Sequence, residues 1–467
     1  MKTTRAERQA RSQRLFVGIV FALYAAITLW VTLHHEPWRD EADSWLLLRD
    51  GGLGTAIARA GYSGSPALFY VVVAPLVKLG APYLAQNLLN LLIAWAAVLL
   101  FLICAPFSRT IKALFVFSYY AAFEYAVVAR PYALAMLLLF AIAAVWPRRR
   151  ERPLPLAIFV ALLAHTTTHT LFAAAAIGAV YLAEGLREKR RGLIVPAAIM
   201  MIAGAVAAWM VRTPADAGGV MGYTHKISAV WAFGNAFLPD TPFMFFVPFA
   251  VAMLAAVAYT IGRRWMVQAF LWANLLFLFA VYAFVWMGGL RHAGLVLLVV
   301  MFALWIAERP LHAAAEALLA IALLVSTFVA AGYWWNETTQ PFSSAKQMAG
   351  YLREHHLETM PIAAHRLTAA EAVLPFLPKR TFYYPGMHAD GSYMLWNRQY
   401  NTGVLMDHRS ALADAVQHFA GRRWLLLVDT PIASPEQYGF RLLYKTDYPF
   451  EKQDEHYFLY DPSGAAQ

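Results

Sequence analysis

The sequence contains few charged side chains and a single cysteine. Only 14% of its 467 residues are Asp, Glu, Lys or Arg, whereas 60% are hydrophobic. A soluble chain of this length would need far more polar surface, so the composition excludes an ordinary soluble protein. The lone Cys104 excludes an intrachain disulfide, so cysteine usage does not identify the redox compartment.

Long apolar runs recur between residues 15 and 332. Runs of about 18 or more residues are long enough to cross a bilayer as helices, and the mean hydropathy of +0.50 agrees with such a chain. The candidate spans are 15–33, 84–104, 112–129, 131–146, 154–170, 171–184, 193–211, 243–261, 266–287, 292–307 and 313–332. We therefore predict a mainly α-helical polytopic membrane bundle with about 11 transmembrane helices.

Basic side chains lie in short clusters between the apolar runs. The formal net charge is +10, but clusters between spans are the pattern of membrane topology and do not indicate a nucleic-acid partner. The first cluster precedes span 15–33. A signal peptide also starts with basic residues, but its apolar region is shorter and ends at a small-residue cleavage site. Because this run is long and is followed by His34-His35-Glu36-Pro37, we predict an uncleaved anchor with a cytoplasmic N-terminus.

Residues 66–79, "PALFYVVVAPLVKL", form a further apolar run that decides the topology. The run has about 14 residues and contains Pro75, so it is short for a span and typical of an interfacial or re-entrant helix. If it does not cross, the basic N-terminus and the later basic loops share the cytoplasmic side, as the positive-inside rule expects; if it crosses, those loops lie outside. The loops are at 108–112, 147–153, 185–192 and 262–265. We therefore expect loop 34–83, with juxtamembrane helices, and the C-terminal tail outside a plasma (inner) membrane.

Residues 333–467 have the composition of a soluble domain. Predicted helices are 343–357, 367–374 and 411–420, and predicted strands are 361–365, 380–384, 424–428 and 456–460. Segments with the apolar periodicity of helices alternate with segments that have the pattern of strands, which predicts a small α/β domain. This tail contains neither a glycine-rich phosphate loop nor a metal-ligand spacing. The predicted domains are therefore a transmembrane domain, 1–332, and an extracytoplasmic α/β domain, 333–467.

Ionisable side chains near the membrane gather on the predicted outer side. The stretch HHEPWRDEADSWLLLRD, residues 34–50, carries the neighbouring Asp40 and Glu41 directly after the first span. Other candidates at outer helix ends are Glu124, Arg130, His165, His169, Arg291 and His292. An ionisable residue at membrane depth is costly and marks a functional candidate. A transporter would more often place such groups near the midplane, so we predict a site at the outer surface.

The acidic pair and the arginines indicate a particular chemistry. Neighbouring residues of an extended segment point in opposite directions, so Asp40 and Glu41 would not flank one bond as the carboxylates of a glycoside hydrolase do. One carboxylate can act as general base alone if the leaving group needs no proton, and a phosphate needs none. Arg130 and Arg291 can stabilise that leaving group. We therefore expect a substrate with a lipid tail and a phosphate head.

Each of these features also has a simpler explanation. An acidic pair in an exposed loop is often only solvated, and interfacial arginines often extend toward the headgroups. Histidines could ligate zinc, but histidines without a firm spacing are more often hydrogen-bonded structure. The histidines concerned are His34, His35, His165 and His169. A divalent metal is thus neither excluded nor required, and a transporter or flippase of lipid-linked saccharide and a non-catalytic scaffold stay open as functions.

Three segments resemble the GT-C membrane glycosyltransferases, in particular the protein O-mannosyltransferases and the lipid A aminoarabinose transferases. Residues 37–80, which begin PWRDEADSWLLL, resemble the first outer loop of that family, where an acidic pair and then a juxtamembrane helix follow the first span. FEYAVVARPYAL, residues 123–134, is similar to the outer end of the family's third span. GLRHAGLVLL, residues 289–298, is similar to its late arginine motif.

The resemblance implies an inverting sugar transfer at the outer face of the membrane. The donor would be a polyprenyl-phosphate-linked sugar, and the acceptor would be a hydroxyl of a lipid, a glycan or a protein. The surrounding membrane lipids would be further partners. Asp40 would be the general base, with Glu41 as the supporting carboxylate. Arg130, Tyr132 and Arg291 would contact the phosphate of the donor.

One departure from the family pattern affects the phosphate site. Relatives carry a His or Lys before a Pro pair, whereas this chain has Ser65-Pro66-Ala67. A cationic contact to the substrate is therefore missing at this place. We expect Lys78 or His292 to replace it.

Overall fold

The structure, a computed structural model, describes residues 5–217, 226–286, 288–365, 367–404 and 406–462. Helices dominate as far as residue 339. They are α1 (Arg5–His34), α2 (Arg39–Leu46), α3 (Gly52–Ala58), α4 (Ala60–Ser63), α5 (Leu68–Lys78), α6 (Leu84–Cys104), α7 (Arg109–Val116), α8 (Tyr132–Val145), α9 (Pro153–Ala164), α10 (Thr168–Arg187), α11 (Ile194–Met210), α12 (Lys226–Phe237), α13 (Phe246–Ile261), α14 (Trp265–Phe284), α15 (Leu290–Ile306) and α16 (Ala313–Thr339). The remaining helices are α17 (Ala345–Glu354), α18 (Leu367–Ala370), α19 (Arg398–Val404) and α20 (His408–His418).

The predicted polytopic membrane bundle is confirmed. Six helices of the described chain are long and apolar enough to cross a membrane, namely α1, α6, α10, α13, α14 and α16. Shorter apolar helices of 10–17 residues accompany them, namely α5, α8, α9, α11, α12 and α15. Ten of the eleven predicted spans coincide with a helix. The boundary expected at 170/171 lies earlier, because α9 ends at Ala164 and α10 begins at Thr168.

The span predicted at 112–129 is wrong as a continuous helix. Helix α7 ends at Val116, and a single π-helical turn, Tyr120–Glu124, leads into irregular chain. The Asn90 side-chain amide of α6 donates to three carbonyl oxygens of that chain. They belong to Tyr125, Ala126 and Val128, at 3.0, 3.1 and 3.2 Å. Because backbone groups away from water need internal partners, α6 can hold a non-helical segment inside an apolar run.

Two helices lie where the sequence predicted other structure. Helix α12 lies between the predicted spans 193–211 and 243–261, where no helix was predicted, with Ala229, Ala232 and Ala236 buried at helical spacing. Helix α2 contains the acidic pair, which the sequence analysis treated as extended chain. The carboxylates still diverge, because consecutive residues of an α-helix are rotated by about 100°.

Helix α5 is the short helix predicted from the apolar run 66–79. Its 11 residues rise by about 16 Å, roughly half of a hydrocarbon core of ~30 Å. Phe69, Tyr70 and Val73 bury one face of α5 in a cluster with other residues of loop 34–83. The helix is thus too short to cross by itself. The sidedness of the loop stays a prediction.

The C-terminal part contains a six-stranded mixed sheet together with helices, which confirms the predicted α/β fold. The strands are β1 (Ile362–His365), β2 (Phe382–Tyr384), β3 (Ala389–Gly391), β4 (Leu425–Val428), β5 (Arg441–Lys445) and β6 (Phe458–Asp461). Their order is β3-β2-β1-β4-β6-β5, with β1 parallel to β2 and β4 and the other pairs antiparallel. Strands β1, β2, β4 and β6 were predicted. The edge strands β3 and β5 were missed because they are largely exposed and carry no sustained apolar run.

Helix α2 packs against the sheet domain. The buried cluster that they share includes Ala42, Leu46, Val373 and Leu374. Asp43 Oδ1 accepts a hydrogen bond from the Met394 N–H at 3.0 Å. Asp40 therefore lies at the junction of the bundle and the sheet domain. The domain boundary predicted at 332/333 stays a prediction, and α16 itself continues to Thr339.

Candidate active site

Asp40 lies between two arginines from distant parts of the chain. Arg291 Nη2 donates a hydrogen bond to Asp40 Oδ2 at 2.7 Å, and Arg130 Nη2 lies 4.0 Å from the same oxygen. The three side chains are 16% to 18% exposed. The structure thus brings these three predicted residues together in a half-buried but accessible group.

The charges around Asp40 keep its carboxylate ionised at neutral pH. Burial raises the pKa of Asp40, but four nearby cations outweigh burial and hold the pKa below its ordinary value. The cations are Arg291, Arg130, Arg39 and Lys452. Asp40 also lies in the first turn of α2, where the helix dipole favours negative charge. The carboxylate can accept a proton readily only when part of this positive charge is engaged elsewhere.

Helix α2 fixes the position of Arg130. Arg130 Nη1 donates to the Asp40 carbonyl oxygen and, at 3.3 Å, to Ser44 Oγ. Within the described chain, the buried Nε atoms of Arg130 and Arg291 have no hydrogen-bond partner. Unpaired buried donors cost free energy, and an anionic ligand is the natural partner of a guanidinium. The site therefore has the capacity to bind an anion.

Glu41 is fully buried, with 0% of its side chain exposed, and faces away from the arginines. Its carboxylate accepts four hydrogen bonds. The donors are Asn87 Nδ2 at 2.7 Å, Ala129 N–H at 2.7 Å, His35 Nε2 at 3.0 Å and Trp38 N–H at 3.3 Å. Glu41 thereby joins α2 to α6 and to the backbone directly before Arg130. In this position it orients neighbouring groups and is closed to a substrate.

A protonated histidine connects Glu41 to a second buried glutamate. His35 Nε2 bonds to Glu41 at 3.0 Å, and His35 Nδ1 bonds to Glu337 of α16 at 2.8 Å. Burial lowers the pKa of His35, but the two carboxylates raise it by more, to about 10. Both ring nitrogens therefore donate, and the imidazolium links α2 to the last helix of the bundle.

Tyr132 and His292 form a pair beside Arg291. Tyr132 Oη lies 2.7 Å from His292 Nε2, and the Gly289 N–H donates to His292 Nδ1 at 2.9 Å. A neutral imidazole carries one proton, so an accepting Nδ1 places that proton on Nε2, which donates to the Tyr132 oxygen. The phenol hydrogen of Tyr132 is then available to a ligand. His292 is only 3% exposed, so its contact in this structure is with Tyr132.

Lys78 lies apart from these contacts. It is the last residue of α5 and is exposed. Across the part of the chain that the structure describes, no hydrogen bond or ion pair joins its ammonium to Asp40 or to either arginine. The structure therefore groups the other six predicted site residues around α2 and leaves Lys78 outside their contacts.

Sequence reasoning missed the groups around Trp38. Lys452 Nζ lies 4.2 Å, and the Arg291 guanidinium carbon 5.0 Å, from the centre of the Trp38 ring. Arg39 pairs with Asp454 of the sheet domain. Lysines and aspartates in a polar domain at the opposite end of the chain do not stand out by motif or spacing, so no local signal identified them.

A metal site gains no support from the described residues. Among them, no group of three or more His, Cys, Asp or Glu side chains is placed to hold a metal ion. His34 Nδ1 bonds to a carbonyl oxygen of its own helix at 2.8 Å. Both ring nitrogens of His35 are occupied by glutamates, and the His169 ring packs 5.3 Å from that of His292.

The fold has solved counterparts. ArnT from Cupriavidus metallidurans bound to undecaprenyl phosphate is similar to the chain, with a TM-score of 0.57 and 11% sequence identity over 96% of this chain and 97% of that one. ArnT from the same organism in the apo state gives a TM-score of 0.54 and 11% identity over 95% and 97%. No protein-family model matches the chain, and no curated protein matches it.

These likenesses extend over nearly the whole chain and include both the helical bundle and the C-terminal sheet domain. The chain therefore has the fold of the GT-C membrane glycosyltransferases and is a multi-pass membrane protein. ArnT is one solved protein with which the chain shares this architecture. At 11% identity the likeness defines the fold, while the chemistry depends on the residues around Asp40.

Proposed function

We propose that the chain is a membrane glycosyltransferase that moves a sugar from a polyprenyl-phosphate-linked donor to an acceptor hydroxyl at the outer face of the membrane. The observation that carries the proposal is the half-buried Asp40 carboxylate between the guanidinium groups of Arg130 and Arg291. It lies in a chain that shares the fold of ArnT, whose bound undecaprenyl phosphate belongs to the proposed class of donor lipid. The acceptor is a lipid, glycan or protein at the same face.

Asp40 is the general base in the proposed reaction. It takes the proton of the acceptor hydroxyl while the hydroxyl oxygen attacks the anomeric carbon of the sugar. The bond between that carbon and the phosphate oxygen breaks, and its electron pair leaves on the phosphate. Attack from the face opposite the phosphate inverts the configuration. Arg130, Arg291 and the free Tyr132 hydroxyl hydrogen stabilise the leaving phosphate.

The two arginines couple donor binding to the basicity of Asp40. In the free protein they hold the pKa of Asp40 low, so the carboxylate is ionised but weakly basic. When a donor phosphate binds the same guanidinium groups, it offsets part of their charge and the pKa of Asp40 rises. The base therefore becomes stronger when the donor is in place.

Asp40→Asn tests the assignment of the base. The full-length protein in lipid nanodiscs receives radiolabelled polyprenyl-phosphate sugars and an envelope extract as acceptor, and the label that leaves the donor is counted. Loss of the base should slow transfer about 10²–10⁴-fold. Undecaprenyl phosphate should still bind, because both arginines remain.

Asp50→Asn is the matched control. Asp50 lies in the same loop and also pairs with an arginine, Arg49, at 3.0 Å, but it has no contact with Arg130 or Arg291 among the described interactions. We expect it to transfer at the wild-type rate. Wild-type transfer by Asp40→Asn would refute the base assignment. A wild-type protein that neither binds undecaprenyl phosphate nor transfers any of the sugars would refute the function itself.

A further inference from the structure

We propose that Lys452, from the C-terminal sheet domain, binds the donor phosphate together with Arg130 and Arg291, so that the sheet domain completes the donor site. This inference rests on the proposed function. From the sequence, Lys78 or His292 was expected to replace the missing cation. The structure instead places an ammonium group from the connection between β5 and β6 on the Trp38 ring, which the Arg291 guanidinium also contacts.

Lys452 reaches the site through Trp38. Its ammonium lies 4.2 Å from the centre of the Trp38 ring, and the guanidinium of Arg291 lies near the same ring. The Lys452 ammonium also lies 5.0 Å from the Phe342 ring. The side chain is 19% exposed, close to the values of the two arginines. Two cations therefore contact the same aromatic ring at an accessible place.

The backbone around Lys452 is held in place, so its position is not that of a freely moving surface lysine. The Lys452 N–H donates to the Phe342 carbonyl oxygen at 3.0 Å, and the Phe450 N–H donates to the Pro341 carbonyl oxygen at 3.0 Å. Farther along the connection, Glu455 Oε1 accepts the Arg39 N–H at 3.1 Å. The connection is thus fixed both to the segment that leaves the bundle and to the first residue of α2.

The charges around Trp38 favour an anionic ligand. Four cations and three carboxylates pair with one another around Trp38. The cations are Arg39, Arg130, Arg291 and Lys452, and the carboxylates are Asp40, Glu451 and Asp454. Two further carboxylates lie near these cations. Burial raises the pKa of Glu455 to about 7. Glu124 is buried near Arg291 and Lys452, and it accepts a hydrogen bond from Tyr119 Oη at 2.6 Å. The phosphodiester of the polyprenyl-phosphate-linked donor carries one negative charge and can pair with these cations.

Glu451 is the group with which a phosphate would compete. Its Oε1 lies 3.2 Å from Lys452 Nζ, and its Oε2 accepts from the Tyr333 hydroxyl at 3.3 Å. In the ligand-free protein, Glu451 therefore occupies one donor direction of the ammonium. Removing the charge of Glu451 should strengthen phosphate binding, whereas removing the charge of Lys452 should weaken it.

The test measures the dissociation constant of undecaprenyl phosphate by quenching of tryptophan fluorescence, with the full-length protein in nanodiscs. Lys452→Gln should weaken binding about 10- to 100-fold, the range of one lost hydrogen bond to a charged group. Lys452→Arg should restore most of the affinity, and Glu451→Gln should increase it. Lys445→Gln, an exposed lysine of β5, is the matched control and should bind as the wild type does. Inorganic phosphate in a parallel titration separates recognition of the lipid from recognition of the free ion.

Each outcome decides a separate point. If the wild type binds undecaprenyl phosphate and Lys452→Gln binds it equally well, Lys452 only packs on Trp38 and the inference is overturned. If Lys452→Gln does not yield folded protein, Glu451→Gln decides alone: tighter binding supports the inference and unchanged binding overturns it. A wild type that binds neither form of phosphate overturns the proposed function together with the inference.

Discussion

At the scale of single residues, Asp40 and Glu41 are neighbours with different roles because their partners differ. Asp40 faces two guanidinium groups at an accessible place. Glu41 has all its contacts with buried donors and a buried imidazolium. Two identical functional groups one residue apart thus separate into a candidate base and a structural anchor.

Glu41→Ala should destabilise the protein strongly. It would leave the His35 charge, the Asn87 amide and the Ala129 N–H without their common acceptor. Breaking a buried charge pair from one side costs about 3–5 kcal/mol. The loss is measured as a lower midpoint of thermal unfolding in detergent. Glu354→Ala, at an exposed glutamate of α17, is the control and should change stability by less than about 0.5 kcal/mol. Equal midpoints for the two variants would contradict the anchoring role.

His35→Asn should remove a pH dependence of stability. Burial lowers the pKa of His35, but Glu337 and Glu41 raise it to about 10 in the folded protein, from an ordinary value of 6.5. The folded state therefore binds the proton more tightly, and this stabilisation is complete below pH 6.5 and lost as the pH rises toward 10. We expect the stability difference between wild type and variant to be largest below pH 6.5 and to shrink up to pH 10.

Thermal midpoints recorded across that pH range check the prediction. His355→Asn, at an exposed histidine, controls for replacing a histidine as such and should show no such trend. A difference between wild type and His35→Asn that is constant with pH would mean that His35 is not protonated between its two glutamates.

At the scale of helices and loops, the asparagines of α6 determine the shape of the site. Asn90 holds the irregular chain after the π-helical turn, and Asn87 contacts both Glu41 and the Val127 carbonyl oxygen. That chain leads directly to Arg130. A regular helix through 112–129 would point Arg130 elsewhere, so the break in the helix contributes to the site.

Asn90→Ala should therefore destabilise this segment. Three buried carbonyl oxygens would lose a donor, which costs about 1–3 kcal/mol. Asn274→Ala is the control, because that equally buried amide bonds only to the Phe270 carbonyl oxygen of its own helix, at 2.8 Å. The midpoint of thermal unfolding should fall clearly in the first variant and little in the second. The reverse order would contradict the supporting role of Asn90.

The elements that could be predicted from the sequence are those with a strong local pattern. Most membrane helices follow from apolar runs, and strands such as β4 follow from their apolar residues. The break within 112–129 could not be predicted, because it depends on asparagine side chains of another helix. Helix α12 was missed because its buried alanines give a weak apolar signal.

At the scale of the whole molecule, the part of the site that has a local sequence signal could be predicted, and the part that depends on tertiary contacts could not. Asp40, Arg130 and Arg291 stand out because charges are rare beside apolar runs. Lys452 belongs to a domain where charged residues are common, and only the docking of that domain on α2 brings it onto the Trp38 ring, which Arg291 also contacts. A tertiary contact of this kind leaves no trace in composition or spacing.

The predicted sidedness can be tested by cysteine labelling. Replacing Cys104, the only cysteine, gives a background for single cysteines at the exposed positions Lys379 and Arg150. An impermeant maleimide added to intact cells should label the cysteine at 379 and should label the one at 150 only after permeabilisation. The opposite pattern would place Asp40 on the cytoplasmic side and contradict an outer active site.

Strand β6, Phe458–Asp461, lies between β4 and β5 in the sheet although it follows both in the chain. The ribosome must therefore finish almost the entire described chain before the sheet can close and Lys452 can take its place. A nascent chain already inserted in the membrane would contain Asp40, Arg130 and Arg291, but Lys452 would not yet lie on the Trp38 ring. Under the proposed function, sugar transfer would therefore begin only after strand β6 has been synthesised.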